Sequence, residues 1–446
     1  MKDLTSGSIP RHITALAVPI AVGMLVQTLY LLVDLFFISR LGSVALAGAS
    51  VAGNVFFLVM ALTQMLSVGT VAVVAHAVGD NDQHRANLAF NQAIVLGGVL
   101  AAAILIGGYF GLADLYIETI GADDATIAAG KTYLKWLLPG LAIQFAIVAM
   151  GGALQGTGIV KPTMIAQMLS VLVNIALTPV LIAGWLTGHP MGVAGAALAS
   201  TLATTVGVVL MTIYFVKLER YVSFDRSLLR PRFAVMRRML TIGVPAGGEF
   251  VLMFIYMMVI YAVISKFGAS AQAGFGIGMR VMQAVFLPAL AISFTTPAIA
   301  GQNFGARKSA RVRETFRVAA VMNIAFMLAL TLLCQWRPHW LVQSFSDEQA
   351  VLVVAVGFLT TVSWNFVAAG LNFTCSGMFQ GMGNTLPALA SSATRLVTFI
   401  GPAFWLAQQP GFQIQHVWYL SVVTVTIHAA MNLVLLRREF GRRLAF

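Results

Sequence analysis

The chain has 446 residues, of which 59% are hydrophobic and only 9% charged, with a mean hydropathy of +0.88. An ordinary globular domain carries roughly 25% charged residues, so the composition excludes a typical soluble enzyme and points to a polytopic membrane protein. The formal charge of +12 would suggest nucleic acid in a soluble chain, but the basic residues fall in alternating loops, and no nucleic-acid partner is expected. Taken in chain order, apolar stretches long enough to cross a bilayer as helices, about 20 residues or more, run over 13–39, 44–78, 88–113, 127–152, 162–186 and 192–216. The second half supplies 239–265, 270–304, 315–336, 350–377, 386–407 and 413–436. The expected fold is all-α, with twelve transmembrane helices in an N-terminal six-helix lobe (1–216) and a C-terminal one (239–446), joined by a basic cytoplasmic linker at 217–238.

Placing the N-terminus in the cytoplasm puts twenty of the 27 Lys and Arg residues inside, among them the run from Lys217 to Arg238. Both termini are therefore expected on the cytoplasmic side of the plasma (inner) membrane. The first span is too long for a cleaved signal peptide, whose apolar region is about 7–15 residues. Cys334 and Cys375 have no metal-binding or disulfide spacing.

The chain also repeats itself. PIAVGMLVQTLYLLVDLFFISRLGSVALAG from Pro19 answers PAGGEFVLMFIYMMVIYAVISKFGASAQAG from Pro245, an offset of 226 residues. Gly79, Arg85 and Phe90 recur at the same offset as Gly305, Arg311 and Phe316, and QGTGIVKP from Gln155 matches QGMGNTLP from Gln380 at 225. An even number of spans per repeat makes the repeats parallel, related by a pseudo-two-fold along the membrane normal, a pattern of secondary transporters that handle substrate between repeats.

Ionisable side chains inside membrane helices are costly and are functional candidates. Of fifteen acids, only Asp34 and Glu249 fall well inside spans; Arg280, Arg395 and His428 are the bases there. Gln27, Tyr30 and Asp34 share a helix face by their spacing. Gln167, Ser170, Asn174 and Thr178 form a polar stripe on the fifth span, and Ser200 lies on the sixth. Together they would close a polar pocket in which Asp34 takes up and releases a proton, ligates a hard cation such as sodium with Asn174, Thr178 and Ser200, or simply holds helices together. The position equivalent to Asp34 in the second repeat is Ile260, so ion chemistry is expected in the first lobe only. Glu249 and Arg395 lie at matching depths, and Glu249 is expected either to pair with Arg395 or Arg280 or to act in substrate binding or gating. Thr361, Asn365, Asn372 and Ser376 form a polar stripe without an acid on the tenth span. His428 reads as a packing histidine or a proton relay.

No phosphate-binding loop, nucleophile elbow, zinc motif or paired catalytic carboxylates occur, so neither ATP hydrolysis nor intramembrane catalysis is expected, and no cofactor. VQTLYLLVDLFFISRLG, the two QG-x-G-x-x-x-P turns and VNIALTPVLIAG followed by GVAGAALAS resemble the multidrug and toxic compound extrusion family, across essentially the whole chain. The resemblance implies a rocker-type antiporter that exports amphipathic, often cationic compounds against protons or sodium, and the chain is expected to act as a monomer. It matches Asp34 to the coupling acid of the first helix, Gln27 and Tyr30 to its polar neighbours and Asn174 to the fifth-helix asparagine. Thr178 stands where some members have a second aspartate, and Ser200 where they have threonine. One carboxylate suits one proton, so proton coupling is favoured over a sodium site at Asp34 and Asn174. Glu249 resembles a glutamate of part of the family, while the acid that another branch places on the tenth helix is missing. Asn365, Asn372, Arg280 and Arg395 remain candidates for substrate or gating contacts. A flippase for lipid-linked precursors, with Arg280 and Arg395 toward an anionic headgroup, is the alternative.

Overall fold

A computed structural model describes residues 1–121, 123–185 and 188–445. It is all-helical, with no strand among the described residues. Among the described residues twelve long helices form: α1 Ile9–Ser39, α2 Ser43–Gly79, α3 Gln83–Ile120, α4 Asp124–Gly156, α5 Lys161–Ala183 and α6 Gly192–Lys217 in the first repeat. In the second they are α7 Phe233–Phe267, α8 Ala269–Gly305, α9 Ser309–Trp336, α10 Gln349–Gly381, α11 Leu386–Leu406 and α12 Ile414–Arg443. Eleven are long and apolar enough to cross a membrane. The other, α11, has 21 residues, and Ser391, Ser392 and Arg395 dilute its apolar character.

The helices overrun the apolar stretches that announced them. α3 extends from Gln83 to Ile120 and not just over 88–113, because a π-helical segment at Gly108–Leu112 carries it around a kink at Phe110 and Gly111. The expected end of the fifth span at residue 186 lies outside the described residues, as does the last residue of the expected second lobe, Phe446. Asp123 starts α4 by accepting the Thr126 N–H at 2.7 Å, which holds its carboxyl below the usual carboxylate range.

The repeat is visible in the backbone. The two non-glycine residues with positive φ among those described are Asn81 and Arg307, both at 57° and 226 residues apart, each at the exit of a long helix. Gly42 and Gly268, at the same offset, both have left-handed φ and start the next helix. In the QG-x-G turns, Gly158 N–H donates to the Gln155 carbonyl and Gly383 N–H to that of Gln380, each at 3.0 Å, with φ of 78° and 73°. Those φ values are why glycine stands at the turn in both copies.

The chain divides into two compact units, and the division falls inside α1 and α7. Unit 1 comprises Met1–Asp3 and Pro19–Gly247; unit 2 comprises Leu4–Val18 and the chain from Gly248 onward. Within unit 1, α7 begins in very close contact with α2. A Cβ on Gly69 would stand 2.5 Å from the Met239 carbonyl oxygen, one on Gly247 would stand 2.7 Å from that of Ala61, and one on Gly243 would collide with that of Met65. Gly243 and Gly247 are the small-x-x-x-small spacing that lets membrane helices approach backbone to backbone. Within unit 2, the segment before α1 is held by α8: Leu4 N–H donates to Gln302 Oε1 (2.9 Å), and Asn303 Nδ2 donates to the Leu4 carbonyl (3.1 Å). A stack of Phe275 on Trp418, with Phe358 edge-on to both, fills the core of unit 2.

The linker is shorter than the basic run suggested. α6 continues through Lys217 and α7 starts at Phe233, which leaves 218–232 as the strap, with a single 3-10 turn at Arg226–Leu229. Amide side chains of α3 hold it. Gln92 donates to the carbonyls of Leu228 (2.6 Å) and Arg230 (2.9 Å) and accepts from Arg232 N–H (2.7 Å). Asn91 donates to the Ser223 carbonyl and accepts from Asp225 N–H, and Phe224 packs its ring against Phe90 and Phe215. Replacing Gln92 by Leu removes three of these bonds, each worth about 1 kcal/mol. Trypsin should then cut after the exposed Arg220, Arg226 and Arg232, whose backbone must open to enter the protease, at least about tenfold faster, with unchanged cleavage elsewhere as the control.

Candidate functional site

Asp34, near the end of α1, is only 6% exposed. Its Oδ2 accepts from the Tyr133 hydroxyl of α4 at 3.2 Å, and its buried Oδ1 has no hydrogen-bond partner. A buried carboxylate oxygen without a donor is costly, which makes this atom a candidate binding point. One turn earlier, the Tyr30 hydroxyl donates to Ser200 Oγ on α6 at 2.7 Å. Asn174 Nδ2, on α5, donates to the same oxygen at 3.2 Å. Thr178 turns its hydroxyl back onto the Asn174 carbonyl (2.8 Å) and, more weakly, Asn174 Oδ1 (3.4 Å). Asn174, Thr178 and Ser200 are all buried.

The site therefore comprises the network of Tyr30, Asn174, Thr178 and Ser200 and, one turn along α1 from Tyr30, Asp34 with its Tyr133 contact, all in unit 1. It leaves out Gln27, which is exposed although the helical spacing put it on the same face. It adds Tyr133, which the sequence reading missed. No spacing rule joins Tyr133 to Asp34, because the two are 99 residues apart on different helices; the signal available was a hydroxyl-bearing aromatic inside an apolar span. Ile260, the repeat counterpart of Asp34, is buried apolar packing in unit 2. Among the described residues, no cluster of three or more His, Cys, Asp or Glu side chains could hold a metal ion.

Unit 2 holds a second polar chamber, between α7, α10, α11 and α12. Glu249 does not form the ion pair expected with Arg395 or Arg280. Its carboxylate accepts from the Ser376 hydroxyl at 3.0 and 3.3 Å, and Gln380 Nε2 donates to Ser376 Oγ in turn. Arg280 is exposed. Arg395 lays its guanidinium over the Tyr256 ring, 4.2 Å from the centroid. Tyr256 lies seven residues, or about 10 Å, beyond Glu249 along α7, so the matched depths of Glu249 and Arg395 did not bring them together. The tyrosine ring covers one face of the cation, and a serine hydrogen-bonds the acid. Asn365 Nδ2 and the Tyr256 hydroxyl meet at Ser421 Oγ, and Asn372 Oδ1 accepts from Asn432 Nδ2 at 2.9 Å. His428 packs its Nε2 between Asn432 and Ser392.

Long helices in duplicate, eleven of those described apolar enough to cross a membrane, with buried polar side chains clustered in each unit, are the architecture of a membrane transporter. The MatE family model matches residues 19–180 and 245–405, so the two matched segments open on the repeat's own prolines. The chain belongs to the MatE family. It is 24% identical over 416 residues to the probable multidrug resistance protein YoeA of Bacillus subtilis, covering 92% of this chain and 90% of that one. It is 25% identical over 428 residues to the multidrug export protein MepA of Staphylococcus aureus, covering 95% and 93%. Among solved structures, a multidrug resistance MATE family transporter of the MOP superfamily in an outward-facing conformation superposes with a TM-score of 0.91 at 25% identity, over 99% of this chain and 98% of that one.

Proposed function

We propose that this chain, a multidrug efflux transporter of the MATE/MOP superfamily, is a secondary active antiporter that exchanges amphipathic, often cationic compounds for protons through Asp34. It does so in the plasma (inner) membrane, as a monomer with both termini in the cytoplasm. The observation that carries this reading is the open, buried Oδ1 of Asp34 beside a network already closed on itself. A hard cation asks for about six oxygens. The oxygens of the neighbouring network are engaged: Ser200 Oγ takes hydrogens from Tyr30 and Asn174, and Asn174 Oδ1 faces the Thr178 hydroxyl. One proton on Asp34 needs no such cage, and it removes the negative charge that a buried oxygen without a donor leaves uncompensated.

A proton entering from outside neutralises Asp34 and favours the state that releases substrate outward; its loss to the cytoplasm resets the cycle. Coupling requires only that proton and substrate favour different states. The chamber around Glu249, Asn365, Asn372 and Arg395 is the place for substrate contacts. Proteoliposomes containing the purified protein test this: added substrate should move protons whether or not sodium is present, and Asp34→Asn should abolish the movement. Substrate movement driven by a sodium gradient alone would replace the proton by sodium.

A further inference from the structure

Arg395 is a cation in an apolar helix with no counter-ion: among the described residues no carboxylate lies within ion-pair distance of it. Its buried Nε–H has no acceptor. Stacking on Tyr256 engages the face of the guanidinium and leaves its edge, where the N–H groups point, unused. Glu249, the acid of α7, lies two turns from Tyr256 and is bound to Ser376.

His428 presents a second unused donor to the same chamber. Asn432 Nδ2 can only donate, so His428 Nε2, 3.2 Å away, accepts, and the ring proton sits on Nδ1. Nδ1 is buried and has no partner, on a residue only 8% exposed. Arg395 and His428 are neighbours: Ser392, one turn before Arg395 on α11, touches His428 Nε2 at 3.4 Å, and the Arg395 charge reaches the imidazole. Two N–H donors on neighbouring residues, one of them carrying a charge with no counter-ion, lack acceptors, and one oxyanion would serve for both. Arginine is the side chain best shaped to hold a planar carboxylate.

We propose that Arg395 and His428 form a carboxylate subsite, so that the compounds this transporter carries include amphiphiles with an acid group. This rests on the efflux reading and narrows its substrate class: Arg395, held by its stack on Tyr256, and His428 take the acid. Asn365 Oδ1, buried and also without a partner, is left to accept a hydrogen bond from a donor elsewhere on the same molecule.

The test is equilibrium binding to the purified full chain in a neutral detergent, which needs no ion gradient. The probes are 1-pyrenebutyrate, its methyl ester and the cation tetraphenylphosphonium. The native protein should bind the acid about tenfold to a hundredfold more tightly than the ester, the worth of a charge-assisted hydrogen bond. Arg395→Gln should erase that preference, and a monodisperse elution profile with the thermal midpoint of the native chain shows that the variant is folded. Arg395→Lys should keep part of the preference, and His428→Phe should reduce it. Equal binding of acid and ester by the native chain, or an acid preference that survives Arg395→Gln, overturns the subsite. If tetraphenylphosphonium alone binds, the subsite fails and the efflux reading stands; if none of the three binds, both fail.

Discussion

Asp34→Asn leaves a folded protein that still binds its substrates but no longer pumps them. The amide has the shape of the carboxyl and still accepts the Tyr133 hydroxyl through its oxygen, so packing around it should be kept. What it cannot do is change charge. In the native protein, substrate affinity should rise with pH, because substrate prefers the deprotonated pocket and the proton prefers the state that releases it. Such coupling is typically worth about 1–3 kcal/mol, or roughly 5- to 150-fold in affinity. The variant should show a flat profile fixed at the weak, low-pH value, and gradient-driven efflux should fall to the passive background. Measuring substrate Kd between pH 5.5 and 8.5 alongside drug tolerance of cells decides the matter. Full tolerance in cells expressing Asp34→Asn would remove Asp34 from the coupling role.

Gly243→Val should have the largest effect on folding. The added Cβ would collide with the Met65 carbonyl, and backbone atoms cannot turn aside as a flexible side chain can. α2 and α7 would have to separate, exposing the flanking contacts at Gly69 and Gly247 as well. Overpacking in a dense core costs about 1–3 kcal/mol, and more when the backbone is what must yield, so a cost above about 3 kcal/mol is expected. The measurement is the yield and thermal midpoint of the detergent-purified variant. Gly98→Val, where a Cβ has open space, is the control and should purify normally.

Much of this was legible in the sequence because it depends on local chain chemistry. Apolar runs announced the helices, and the Pro19/Pro245 offset announced the duplication that reappears as paired left-handed residues at Asn81 and Arg307. What could not be read is what depends on the direction in which a side chain leaves its helix. Gln27, Tyr30 and Asp34 share a spacing, yet Tyr30 reaches α6, Asp34 reaches α4 and Gln27 reaches neither. A helix face about 100° wide can touch two neighbours at once, and the sequence of one helix does not say which. Depth misled in the same way at Glu249 and Arg395. Counting residues from a membrane edge gives a height but no azimuth, and each charge found a closer neutral partner. The strap shortened because the Phe233–Arg238 stretch, though basic, has good helix formers and no breaker after Pro231.

The division of α1 and α7 between the two compact units also bears on how the protein can be assembled from pieces. Residues up to Val18 open the first repeat but are structurally part of unit 2, and residues up to Gly247 open the second repeat but are part of unit 1. This is the reciprocal exchange seen in swapped dimers, here written into one gene. If the gene were split within the strap, each product would carry a segment that only the other can use and would lack one that only the other can supply. The halves should therefore accumulate when they are made in the same cell and be degraded when either is made alone.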